Sequence, residues 1–197
     1  MEMNRIEKRM QELRGSGKKA FITYLTAGLG GMEATKEIID AQKGITDVIE
    51  LGIPFSDPIA DGPVIQQASY EAILSGASLS KTFELVKDIR SEGNEQPILF
   101  MMYYNTVLNV GLDEFASKCK ECGVDGLIIP DLPFEEQEEL QKALKKYNYT
   151  ILIQLLSPIS EGRINQILQD ARGFVYCVSS MGVTGGNASF HNKVREY

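Results

Sequence analysis

The stretch ELGIPFSDPIADGP, residues 50–63, crowds three carboxylates (Glu50, Asp57 and Asp61) among three prolines (Pro54, Pro58 and Pro63). Glu50 lies inside the apolar run DVIELGI (47–53). A carboxyl held among Val48, Ile49, Leu51 and Ile53 is costly to ionise, so burial lifts its pKa toward the range useful for general acid–base work. The alternative is a strand-end acid paired with a Lys or Arg. Asp61 stands in ADGP, where an isolated Asp-Gly is ordinarily a turn whose side chain bonds local backbone. Eleven residues from Glu50, on a loop whose prolines fix φ and remove chain entropy, it can instead be a charge held in one place. Two acids in unlike surroundings can have their pKa values pushed apart, which is how acid and base roles are divided.

Other reactive residues read more plainly. CKEC (119–122) has the spacing of a redox or zinc pair, but it falls late in a helix and the chain has one histidine, His191. A closed zinc site needs four ligands and a reactive thiol needs a helix N-terminus or cation, so these cysteines read as small helical side chains and no metal is expected. His191 reads as a surface residue. SSMGVTGGNAS (179–189) lacks the G-K-[ST] of a phosphate loop, and its glycines suit either a connector or a closing lid.

The 197 residues fit one domain, expected to span 1–197. Apolar residues make up 43% and charged residues 24%, an ordinary globular balance. With net charge −7 and no block of Lys or Arg, nucleic-acid binding is not expected. MEMNRIEKRM has no apolar signal core, and no apolar run approaches the ~18 residues of a membrane span. The expected setting is the cytoplasm.

Positioning these residues falls to alternating strands and helices. Apolar, β-branched runs predict strands at 21–28, 47–53, 97–104, 124–132, 150–158 and 173–180. Helical spacing fills the intervals, with two helices (64–76 and 78–93) after the second strand. Continuously apolar strands alternating with helices form a parallel sheet covered on both faces. An open doubly wound sheet binding a dinucleotide needs a third glycine where GLGGME (28–33) has Glu33. A (β/α)8 TIM barrel instead collects its working residues at the C-terminal ends of strands, where Glu50, Tyr103, Asp131 and the loop Gly182–Gly186 all fall. The barrel is favoured. Six of its eight βα units are legible, and FHNKVREY (190–197) reads as a helix cut partway, so the barrel is expected to be C-terminally incomplete, with its first and sixth strands as open edges.

ELGIPFSDPIADGPVIQQAS closely resembles the signature of the tryptophan synthase α subunit family, and FITYLTAG, MMYYN, GVDGLIIPDLP and SSMGVTGG follow in the same order. The resemblance covers essentially the whole chain. It implies the barrel fold and retro-aldol cleavage of indole-3-glycerol phosphate to indole and glyceraldehyde 3-phosphate. It also implies a β subunit carrying pyridoxal phosphate, an α2β2 assembly, and no cofactor in this subunit.

Residue by residue, the resemblance puts the family's acid–base Glu on Glu50 and its catalytic Asp on Asp61. Substrate contacts fall on Tyr103, Tyr176, Thr184 and Gly185, and the partner-facing loop on Asp57 and Pro58. In this scheme Glu50 protonates indole C3 and takes the glycerol hydroxyl's proton, while Asp61 holds the indole N–H. The turn after the first strand departs from the family, with GLGG where Gly-Asp-Pro is common. Two competing readings share the fold: another phosphosugar enzyme, and a shortened chain that binds the β subunit without chemistry.

Overall fold

A computed structural model describes residues 3–157 and 160–178. Helix α1 (Arg5–Gly15) is followed by β1 (Ile22–Thr26), α2 (Met32–Ala41) and β2 (Val48–Gly52). Next come α3 (Pro63–Leu74), α4 (Leu79–Ser91), β3 (Ile98–Met101), α5 (Tyr104–Val110), α6 (Leu112–Cys122) and β4 (Gly126–Ile128). A 3-10 turn (Phe134–Glu136), α7 (Glu138–Tyr147), β5 (Ile151–Leu152) and β6 (Gln154–Leu156) lead to a second 3-10 turn (Glu161–Arg163), α8 (Ile164–Gln169) and β7 (Val175–Cys177).

Strands β1 to β5 pair in chain order, all parallel, and β6 pairs with β7, also parallel. Sequential parallel order with helices between is the order of a β/α barrel wall. The single fifth strand expected over 150–158 is divided at Ile153. Its first part pairs with β4 and ends where the Ile153 N–H donates to the Leu127 carbonyl at 2.9 Å; its second part pairs with β7. The Ile129 carbonyl, next along β4, already accepts from Leu132 N–H as the chain turns through Pro130. Two boundaries also differ from expectation: β3 stops at Met101, and Tyr104–Val110 is a helix rather than strand end and loop.

Alternation along each strand sorts side chains into two layers. Ile49, Leu51, Phe100, Leu127 and Leu152 face the helices and pack with Phe83, Phe115 and Leu140. Phe83 lies 5.3 Å from Phe100 and 5.8 Å from Phe115, ring centre to ring centre. Val48, Leu99, Ile128, Ile151 and Ile153 face the other way and close on Ile6 of α1. That fit needs glycine, since a Cβ on Gly126 would lie 2.8 Å from Ile6 Cδ1, and one on Gly173 2.9 Å from Ile6 Cγ2. Helix α1 therefore plugs the N-terminal side of the sheet.

The plug is tied down by polar bonds. Asn4 caps α1 through a reciprocal box with Glu7, and its amide also donates to the Asp125 carbonyl (2.7 Å) and the Tyr149 carbonyl (3.1 Å). The Asp125 carboxylate is fully buried just ahead of β4. It accepts from Arg90 of α4 (2.8 Å), Ile98 N–H of β3 (2.9 Å), Tyr149 hydroxyl (2.7 Å) and Arg5 of α1 (3.2 Å). Arg90 spends its other N–H groups on the carbonyls of Gly123, Asn94 and Gln96. Removing one member of a buried ion pair leaves the other charge without compensation. Asp125→Ala should therefore lower unfolding free energy by roughly 3–5 kcal/mol, read as a lower urea midpoint. An unchanged midpoint would refute the network's structural role.

Candidate active site

Glu50 is the inward residue of β2 between Val48 and Gly52, in register with Tyr24 on β1 and Leu99 on β3. It is 7% exposed. Among the described residues no donor or cation meets its carboxyl, and burial alone pushes its pKa up from 4.5 to about 7. The expected burial and raised pKa are thus present, and the ion-paired alternative finds no partner among the described residues.

Asp61 approaches from the loop after β2. The loop is braced internally: Asp61 N–H donates to the Pro58 carbonyl (3.1 Å), and Ile59 N–H to the Asp57 carbonyl (2.9 Å). Pro63 then opens α3, where its missing N–H is no loss. The decisive brace comes from across the sheet. Tyr103 accepts from Ala60 N–H at 2.9 Å and donates to Asp61 Oδ2 at 3.0 Å. Phe55 stacks on the Tyr103 ring, centres 5.1 Å apart. Burial raises the Asp61 pKa and the Tyr103 hydrogen bond opposes the rise. Burial likewise raises Tyr103, helped by the Asp61 charge.

Tyr176 of β7 is half-buried, and its hydroxyl is raised by burial first, then by the charges of Glu50 and Asp61. Four residues singled out from the sequence (Glu50, Asp61, Tyr103 and Tyr176) are therefore brought into one neighbourhood. Asp131 does not join them; its carboxylate accepts from Tyr104 N–H at 2.9 and 3.2 Å and so holds the start of α5. Asp57 is exposed on the loop and accepts from Ser56 at 2.6 Å, beside half-buried Pro58 and an Ile59 that is 80% exposed. Thr184, Gly185, the Gly182–Gly186 loop and His191 lie outside the described residues. Cys119 and Cys122 are free thiols buried in the helix-facing layer, and burial raises both.

Sequence reasoning missed Tyr24. It lines a narrow cleft with Asp61, Ser69, Met101, Tyr103 and Pro130, and its hydroxyl feels the charges of both acids. The available signal was the alternation Ile22–Tyr24–Thr26, but the register that sets it opposite Glu50 comes only from strand pairing. Among the described residues, no group of three or more His, Cys, Asp or Glu is arranged to hold a metal ion, and no helix is long and apolar enough to cross a membrane.

The family model described as "Tryptophan synthase alpha chain" matches residues 10–197. The tryptophan synthase alpha chain of Lachnospira eligens is 58% identical over 99% of this chain and 75% of its own length. That of Alkaliphilus metalliredigens is 50% identical over 93% of this chain and 68% of its own. Among solved structures, tryptophan synthase subunit alpha from Legionella pneumophila superposes with TM-score 0.84 at 38% identity, covering 90% of this chain and 68% of that one. The tryptophan synthase complex from Pyrococcus furiosus superposes with TM-score 0.75 at 36% identity, covering 80% and 65%.

The buried, unpaired Glu50 sets a stability signature. Its folded pKa exceeds its unfolded value, so between pH 4.5 and about 7 the native state holds a proton that the unfolded chain has lost. Native stability should fall through that window, and the deficit, on the order of 3 kcal/mol, should be complete above it. Glu50→Gln removes the titration. Its stability relative to the parent chain should rise from pH 4.5 to pH 8, and parallel stability–pH curves would contradict the buried, unpaired carboxyl.

Proposed function

The chain belongs to the tryptophan synthase alpha chain family, lyases of amino-acid biosynthesis, and we propose that Glu50 and Asp61 carry its cleavage of indole-3-glycerol phosphate to indole and glyceraldehyde 3-phosphate. One observation supports this reading above the others: a buried carboxyl with no donor among the described residues shares its neighbours Tyr24 and Tyr176 with a second carboxyl, which a tyrosine holds in place.

The chemistry needs one group that gives a proton and then takes one. Neutral Glu50 gives its proton to indole C3, which leaves positive charge on the ring nitrogen. Asp61, held by Tyr103, accepts the indole N–H and stabilises that charge. The Glu50 carboxylate then removes the proton of the C3′ hydroxyl. That oxygen becomes the aldehyde oxygen, the C3–C3′ bond breaks, and its electrons return to the ring as neutral indole. Protons balance, with Glu50 ending as it began. A pKa near 7 leaves both forms of Glu50 populated near neutrality, which suits a group with both roles.

In this proposal Tyr103 acts mainly by holding Asp61 and lends its ring to the cleft wall, Tyr176 forms the opposite wall, and Thr184 and Gly185 contribute from beyond the described residues. Proton transfers between substrate and carboxyls drive the bond cleavage, so in this proposal the subunit works without a cofactor of its own; its proposed setting is the cytoplasm. A β subunit carrying pyridoxal phosphate takes up the indole, in an α2β2 assembly. The loop bearing Asp57, Pro58 and exposed Ile59 lies beside the cleft, which suits it to report on that partner.

Glu50→Gln keeps shape and hydrogen bonding but cannot cycle a proton. With the β subunit present, kcat should fall by ~10²–10⁴-fold with substrate affinity nearly intact. Near-normal turnover would overturn the acid–base role. Asp61→Asn should lower turnover and also weaken binding of indole-bearing ligands. Analogues with oxygen or sulfur for the ring nitrogen should be indifferent to this change, and an equal Asp61 dependence for both would overturn the N–H role.

A further inference from the structure

Tyr24 and Gly52 form a matched pair on neighbouring strands. Tyr24 is the register partner of Glu50, and Gly52 follows Glu50 by two positions on the same inward face of β2. The phenol leans across β2 into the space that a side chain at 52 would fill. A Cβ built on Gly52 would meet the Tyr24 hydroxyl oxygen, with Cζ at 2.5 Å and Cε2 at 2.7 Å. Gly52 is buried, as is every other position of β2. No left-handed backbone demands glycine there, since Gly52 is absent from the positive-φ positions. The space taken by the ring is the reason that remains.

We infer that Tyr24 is a positioning residue of the proposed reaction: its ring, admitted by the bare Cα of Gly52, is the wall that keeps water from the Glu50 carboxyl. The inference rests on the reading of Glu50 as the proton carrier. Strand β1 contributes no other aromatic side chain between residues 22 and 26, and the next inward residue, Thr26, is short; its hydroxyl donates to the Tyr24 oxygen at 3.4 Å. Without the ring, the β1 side of the carboxyl lies open to the cleft. Among the described residues, the ionisable groups that feel the Glu50 charge are Tyr24 from β1 and Tyr176 from β7. Neither carries positive charge, so among the described residues burial alone holds the carboxyl neutral, and that burial depends on what fills the wall.

The hydroxyl and the ring have separable effects. Tyr24→Phe keeps the wall. Tyr24→Ala removes it. Gly52→Ala leaves Tyr24 intact but drives the ring from its place, because the colliding atoms are the far end of a side chain that can rotate away. A merely structural tyrosine would lower stability in Tyr24→Ala without moving the Glu50 titration.

The test is carbon-13 NMR titration of the glutamate carboxyls in the full chain, with the Glu50 signal assigned by its loss in Glu50→Gln. Parent and Tyr24→Phe should titrate Glu50 near pH 7. Tyr24→Ala and Gly52→Ala should both move it down by a unit or more, toward the ordinary 4.5. The acid limb of the kcat–pH profile, measured with the β subunit, should move with it. If Tyr24→Ala does not fold, Gly52→Ala decides alone, since it removes no buried group. A Glu50 titration unmoved in a folded Gly52→Ala chain overturns the inference. NMR reads Glu50 whether or not it is catalytic, so failure of the catalytic reading would show as retained turnover in Glu50→Gln with the titration shifts intact.

Discussion

A buried carboxylate must find donors, and Asp125 finds them on four separate stretches of chain. Arg90 reaches it from α4, Ile98 N–H from β3, Tyr149 from the approach to β5 and Arg5 from α1. The bonds fix the start of α1, the start of β3, the approach to β5 and the C-terminal end of α4 relative to the same point. In parallel strands the N-terminal edge sets the height of everything above it. Val48, Glu50 and Gly52 stand on one face of β2 at the levels given by pairing with β1 and β3, and β3 itself is pinned through Ile98. The positions at the C-terminal ends therefore inherit their precision from the opposite end.

Burial pushes both acids up, but only one has partners among the described residues that oppose the rise. Asp125 is surrounded by hydrogen bonds and opposite charge, the condition under which an interior charge is tolerated. Glu50 has burial and no partner, the condition that raises a pKa. The fold keeps both because they stand at opposite ends of the sheet. Such a division, stability below and reaction above, is the usual one in a β/α barrel. Here it is written in the hydrogen-bond partners of two carboxyl groups.

How far this was legible in the sequence varied with the range of the interaction. Apolar runs and helical spacing are local, so the alternating elements, the parallel sheet and the burial of Glu50 could be read directly. ADGP gave Asp61 as a loop acid, while the resemblance to a known family gave it a role. The brace from Tyr103 to Asp61 spans 42 residues and was invisible. Tyr24 was invisible for the same reason, since its importance depends on register with β2. The division of the fifth strand at Ile153 also came from elsewhere in the chain, because its two parts pair with different strands, β4 and β7. MMYYN suggested a strand running on through Tyr104; the chain instead turns into α5, with the Asp131 carboxylate receiving its first N–H.

Helix α1 has one more consequence, and it concerns leakage. Ile6 is seated between Gly126 and Gly173, under the inner column that includes Val48. The helix is held along its length, by buried Ile6 and Leu13 and by polar bonds from Asn4 and Arg5 through Glu7 to Arg9. Ile6 and Val48 form the floor on which Glu50 stands, so the burial that raises the Glu50 pKa is closed from beneath by a helix that precedes the first strand.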